Sequence, residues 1–146
     1  MSYEVKWAVE NAVIVGVLWG DSTIDEVSAL FKETYDLVES SLLARVQVII
    51  DARQLALKQI PAVNKFVPSA RKWKVHARAG WSALVRHSNP ILNFLSDVMM
   101  QATGLRVRTV KTLTEAVTFL QSVDDQIDWS QLPADFYKHD TQQTVP

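Results

Sequence analysis

A chain of 146 residues, 48% hydrophobic and 21% charged, has the size and apolar content of one globular domain, which excludes wholesale disorder. It contains no cysteine, which excludes disulfides, thiolate metal sites and redox pairs. The net charge of −1 conceals three blocks: nine acids against three bases over 1–51, eleven bases against one acid over 52–111, and six acids against one base over 112–146.

Tyr3, Val5, Trp7 and Val9 alternate with Glu4, Lys6 and Ala8, the period of a strand with one wetter face. Glu10-Asn11 is a turn, since Asn tolerates positive φ, and the apolar run Ala12–Trp19 is a more central strand, paired with the first as a hairpin. Gly20-Asp21-Ser22 ends it. Thr23-Ile24-Asp25-Glu26 is a capping box, and Ile24, Val27, Phe31, Tyr35, Val38 and Leu42 then recur at helical spacing. Asp25, Glu33, Asp36 and Glu39 take the outer face of this helix, which runs to about Ser41.

Arg45–Asp51 is a buried strand reached by a parallel crossover, and residues 52–60 are a loop. A second helix turns Val63, Phe66, Val67, Ala70 and Trp73 inward, broken or kinked at Pro68. Trp81–Arg86 is the next strand. Ser88-Asn89-Pro90 opens a helix with Ile91, Phe94, Leu95, Val98 and Ala102 inward, stopped at Gly104. Leu105–Val110 is the last strand, and Thr112-Leu113-Thr114-Glu115 caps a helix that buries Leu113, Ala116, Val117 and Leu120. The expected fold is a single α/β domain with a mixed, mainly parallel sheet and the order β-β-α-β-α-β-α-β-α.

This order resembles the SpoIIAA-like branch of the STAS/Sec14-like superfamily. The resemblance rests on Val15-Gly16-Val17-Leu18-Trp19-Gly20-Asp21 leading to Thr23, on the strand ending in Asp51, and on Thr109-Val110-Lys111-Thr112-Leu113-Thr114-Glu115-Ala116 leading to Phe119-Leu120. It covers about residues 3–123, leaving 124–146 as an acidic, aromatic C-terminal arm. It implies a small regulatory domain that docks onto protein partners or holds an apolar or anionic ligand. Members that antagonise anti-sigma factors carry a phosphorylatable Ser at the start of the helix after the central strand. The corresponding stretch here, Asp51–Pro61, holds no Ser or Thr, so no switch residue carries over.

Chemistry is sparse. With only Gly16, Gly20, Gly80 and Gly104, no dinucleotide or P-loop phosphate cradle can be written. There is no Gly-x-Ser-x-Gly elbow and no His-Glu-x-x-His pair. A receiver domain needs carboxylates at its strand ends, where Val9 and Trp19 stand. His76, His87 and His139 are too scattered for a metal site, and no cofactor is expected.

Parallel sheets bind ligands beyond the carboxyl ends of their strands. That rim should hold Asp51, Arg53, Arg86, His87, Ser88, Asn89 and Lys111, a setting for an anion on a ligand or partner, with capping and solvated bases as the plainer reading. Arg71-Lys72-Trp73-Lys74-Val75-His76-Ala77-Arg78 interleaves bases with apolar residues, suiting an acidic partner or anionic surface, or else a buried Trp73 with solvated flanks. Met99 and Met100 either line an apolar pocket or fill the core. In the tail, Trp129, Leu132, Phe136 and Tyr137 are expected to dock on their own domain or on a neighbouring subunit.

The reading is therefore a non-enzymatic protein-interaction module, with a carrier or sensor of a small amphipathic or anionic ligand as the alternative and an enzyme with an unrecognised site around His87, Asp51 and Arg53 as a third. A protein partner is expected and a homodimer left open. Nucleic acid is not, because a near-neutral chain lacks the charge and motifs for it. The first residues lack a basic stretch followed by an apolar run, and no apolar run is long enough to span a bilayer, so the expected location is cytoplasmic.

Overall fold

In a computed structural model, residues 3–21, 23–55, 68–69, 71–86, 90–138 and 140 are described. They form an α/β fold with five strands, β1 (Tyr3–Val9), β2 (Val13–Gly20), β3 (Val46–Leu55), β4 (Ala79–Val85) and β5 (Val107–Val110), in one mixed sheet of order β1-β2-β3-β4-β5. Among the described residues there are three α-helices: α1 (Ile24–Ser40), α2 (Pro90–Thr103) and α3 (Leu113–Val123). None is long and apolar enough to cross a membrane. β1 pairs antiparallel with β2, and the β2–β3, β3–β4 and β4–β5 pairs are parallel. The helix expected around 63–73 falls largely outside the described residues; Pro68, Ser69 and Arg71 are helical.

The hairpin turn works as its residues suggest, for Asn11 adopts φ 65° and its side-chain oxygen accepts from Leu42 N–H at 3.2 Å. The Thr23 box also forms, with Glu26 N–H donating to Thr23 Oγ1 at 3.2 Å and the Glu26 carboxylate returning to Thr23 N–H. Thr112 caps α3 in the same way, but Glu115 reaches one residue further back, accepting from Lys111 N–H at 2.9 Å. Gly104, at φ 69°, closes the C-terminal end of α2.

From β2 onward each parallel step advances the sheet in one direction. Right-handed crossovers taken in one direction put their helices on one face. Accordingly α1 and α2 share a core with Ile14, Leu18, Val48, Ile50, Leu84 and Trp73. The chain leaving edge strand β5 then doubles back, and α3 packs on the second face over Val13, Val15, Ile49, Ala83 and Val85. There it is joined by Ile127, Trp129, Leu132 and Phe136, so the aromatic arm docks on its own domain. β3, buried on both faces, lies at the centre: Val48 and Ile50 point to the first face, Gln47 and Ile49 to the second.

Three details depart from the periodicity. A bulge between Trp7 and Val9 turns Val9 into the second-face core, away from Tyr3, Val5 and Trp7. Leu42, in phase with the α1 stripe, lies beyond the helix end and is 87% exposed. Phe94, in phase with the α2 stripe, is 49% exposed, while Val98 and Ala102 pack inward and Ile91 and Leu95 lie outside the described side chains.

Two polar devices brace the layers. α1 has no basic residue in its last turn, and Arg78, from the segment before β4, supplies the cation. Its Nη1 donates to the carbonyls of Ser41 and Leu43 and its Nη2 to those of Val38 and Glu39, all within 3.0 Å. On the second face, buried Gln47 accepts from Trp81 N–H at 2.7 Å and donates to Asp124 at the end of α3 at 3.1 Å.

Gly80 is required by this second brace, because a Cβ there would stand 2.3 Å from Gln47 Oε1. Gly80→Ala should lower stability in urea denaturation by about 1–3 kcal/mol through overpacking. Gly104→Ala meets no neighbour within 4 Å, so only its left-handed backbone opposes it, at about 1 kcal/mol.

Candidate functional site

β3 runs four residues past Asp51, carrying both Asp51 and Arg53 inside the strand. Two apart, they share one face, and the chain is so crowded there that their side chains are 7% and 1% exposed. The guanidinium lies against the carboxylate in a two-pronged pair: Nε donates to Asp51 Oδ1 at 3.0 Å and Nη2 to Oδ2 at 2.8 Å. Arg53 N–H also donates to Asp51 Oδ1, at 3.1 Å.

The third group is Asp140, 87 residues from Arg53 in sequence, whose Oδ1 accepts from Arg53 Nη1 at 2.7 Å. The same carboxylate covers the start of α3. Leu113 N–H donates to Oδ1 at 2.9 Å, Thr114 N–H to Oδ2 at 3.0 Å, and the Thr114 hydroxyl to Oδ2 at 2.9 Å. A carboxylate at a helix N-terminus satisfies amides that lack intrahelical partners and meets the positive end of the helix dipole. Burial works to raise the Asp140 pKa, but the Leu113, Thr114 and Arg53 donors outweigh it and hold the carboxyl below its ordinary value. Burial equally opposes a charged Arg53, yet the hydrogen bonds and charges of Asp51 and then Asp140 prevail and raise its pKa.

Of the seven rim residues expected from sequence, Asp51 and Arg53 therefore meet each other. Arg86 follows β4, half-buried, its N–H donating to Val110 O at 3.1 Å, and its buried Nε has no hydrogen-bond partner among the described residues. Lys111 follows β5 and is exposed. Among the described residues no hydrogen bond or ion pair joins Arg86 or Lys111 to the Asp51–Arg53 pair. His87, Ser88 and Asn89 lie outside the described residues, as do His139 and the Met99 side chain. Asp140 escaped the sequence reading. The one signal for it was the acidic charge of the tail set against the basic middle block.

Two clefts flank this framework. On the second face, one of about 370 Å³ lies beside the arm, lined by Val15, Val17, Trp19, Asp51, Leu113 and Phe136 among others. On the first face, a groove of about 600 Å³ runs between α1 and Ser69, Lys72, Trp73 and Lys74. Phe31, Tyr35 and Trp73 line it, with Lys32, Lys72, Lys74, Asp25 and Asp36. Trp73 is buried, stacked on Phe31 at 4.7 Å, with its Nε1 donating to Ser28 Oγ at 2.6 Å, while Arg71, Lys72 and Lys74 are exposed. The His76 ring lies against Tyr35, and its Nε2 contacts the Glu39 carboxylate.

Among the described residues no group of three or more His, Asp or Glu is placed to hold a metal ion. Comparison with protein-family models, with curated proteins and with solved structures returned no match.

Two outcomes follow from the buried triad. Arg53→Met leaves buried Asp51 without its cation and removes one of the four donors to Asp140, and urea denaturation should register a loss of about 3–5 kcal/mol. Because the Asp140 pKa is depressed in the fold, its contribution is whole above the ordinary carboxylate range and vanishes as pH falls through the lowered value. Protection from hydrogen exchange at the Leu113 and Thr114 amides should therefore persist through the ordinary carboxylate range and be lost only at more acidic pH. In Asp140→Asn the exchange should be fast throughout, without that transition.

Proposed function

We propose that this chain is a non-enzymatic regulatory module of the SpoIIAA-like STAS kind, lacking the phosphorylatable Ser, and that it works by binding a protein partner. Support for the fold assignment comes from the hairpin, the helical crossovers and a five-stranded sheet ending in the Thr112-capped α3. The observation that carries the reading is the groove along α1. Its aromatic wall of Phe31, Tyr35 and Trp73 suits an apolar anchor, and exposed Lys72 and Lys74 beside it suit acidic flanks. The partner is accordingly an acidic segment with a large apolar side chain, steered by charge and held by burial of that side chain.

A carrier of a small amphipathic ligand is the second reading, favoured by the cleft beside the arm, where Val15, Val17 and Trp19 adjoin Asp51. An active site is the reading the geometry favours least. Asp51 and Arg53, the best candidates for chemistry, are turned toward each other and toward Asp140.

A panel of acidic peptides with single aromatic or leucine anchors tests the groove by fluorescence anisotropy. Binding should weaken with salt and fall at least about tenfold in Lys72→Glu/Lys74→Glu. Arg106→Glu, an exposed site next to edge strand β5, should leave it unchanged. A panel with no binder, or binding indifferent to Lys72 and Lys74, would count against the groove.

A further inference from the structure

Four donors converge on one point where the end of β3 meets the start of α3. Three belong to α3, namely the Leu113 and Thr114 amides and the Thr114 hydroxyl, and the fourth is Arg53 Nη1. The guanidinium has no freedom to aim elsewhere, since Asp51 grips its Nε and Nη2 and its side chain is 1% exposed. These donors are built from the sheet and its covering helix. The anion they hold is built from neither, because Asp140 belongs to the arm and follows the docked residues Trp129, Leu132 and Phe136. Donors and anion thus belong to separable parts of the chain, held together by this contact and by the arm's apolar packing.

We propose that this cradle is a carboxylate-binding site occupied in cis by Asp140, and that a carboxylate ligand takes the same donors when Asp140 leaves. Charge selects the ligand class. The Asp51–Arg53 pair is neutral as a unit, so the emptied cradle offers the helix dipole and one further guanidinium N–H. A singly charged carboxylate restores the native balance. A doubly charged phosphate monoester would set its second charge close to Asp51 with no second cation to meet it. Shape extends the selection, because the cleft of about 370 Å³ shares Asp51 and Leu113 with the cradle and continues along Val15, Val17 and Trp19. An apolar body attached to the carboxylate has a wall to lie on, which makes an amphipathic acid the better ligand. This site stands on the opposite face of the sheet from the α1 groove, so it holds whether or not that groove binds a partner.

The test uses the full chain carrying Asp140→Ala, titrated with acetate, octanoate and inorganic phosphate, and followed by NMR at the Leu113 and Thr114 amides and Arg53 Nε–H. Acetate should give saturable shifts at all three, and octanoate should bind at least about tenfold more tightly than acetate through its buried chain. Phosphate should be the weakest at neutral pH. The unsubstituted chain should respond at least about tenfold more weakly to each, because Asp140 competes at the effective concentration of a tethered group. Thr114→Val added to Asp140→Ala should weaken acetate binding. If Asp140→Ala unfolds, acetate and octanoate should restore its far-UV circular dichroism. Still amides in a folded variant, an equal response from the unsubstituted chain, tighter binding of phosphate than of acetate, or an unfolded variant that neither acid restores would each overturn the proposal.

Discussion

Everything on the second face of the sheet depends on a guanidinium with nowhere else to go. Withdrawing Arg53, Asp51 and Asp140 from water carries a desolvation cost of several kcal/mol per ion. It is tolerable only because nearly every polar atom is matched: Asp51 takes two guanidinium nitrogens, and Asp140 takes the third along with the α3 amides. Such a network couples three elements that apolar contacts alone would hold loosely. β3 sets the guanidinium, α3 turns its amide end toward it, and the arm is anchored by the carboxylate that joins them.

The Gln47 amide does the corresponding work at the other end of the same helix. Gln47 and Arg53 lie six residues apart on β3, on the same face, one bonded to Asp124 after α3 and the other to Asp140 over its start. The amphipathic stripe of Leu113, Ala116, Val117 and Leu120 supplies burial, but a greasy stripe alone permits sliding. Polar contacts at both ends are directional and fix where along the sheet the helix rests. Gly80 has no side chain because the Gln47 amide occupies the space one would need.

The three charge blocks acquire their meaning in this setting. Two bases of the middle block are spent inside the molecule, Arg53 on carboxylates from the first and last blocks and Arg78 on the carbonyl end of α1. Others, Arg71, Lys72 and Lys74, stay on the surface beside the aromatic groove. Arg53 is neutralised on the α3 face, whereas the outward basic patch and the Arg78 cap both lie on the α1 face. The two functional readings divide in the same way: a partner groove on the α1 face, and a self-occupied carboxylate site on the α3 face.

What the amino-acid order determined by itself is everything that depends on near neighbours. Period-two alternation, helical stripes, the Thr23 and Thr112 caps, the Asn11 turn and the Gly104 stop involve residues a few positions apart, so local sterics and hydrogen bonding decide them. The burial of β3 was visible in part, in the apolar stretch Val48-Ile49-Ile50, but the burial of Gln47 and Arg53 with it was not. Only the tertiary structure decided that Arg53 meets Asp140, that Gln47 meets Asp124, that Arg78 caps α1, and that Leu42 and Phe94 drop out of their stripes. Those outcomes depend on which faces the crossovers bring together and on where a helix ends against its neighbours. A pairing across 87 residues leaves no periodic trace, since the carboxylate that fills the cradle differs in nothing local from the other acids of the tail.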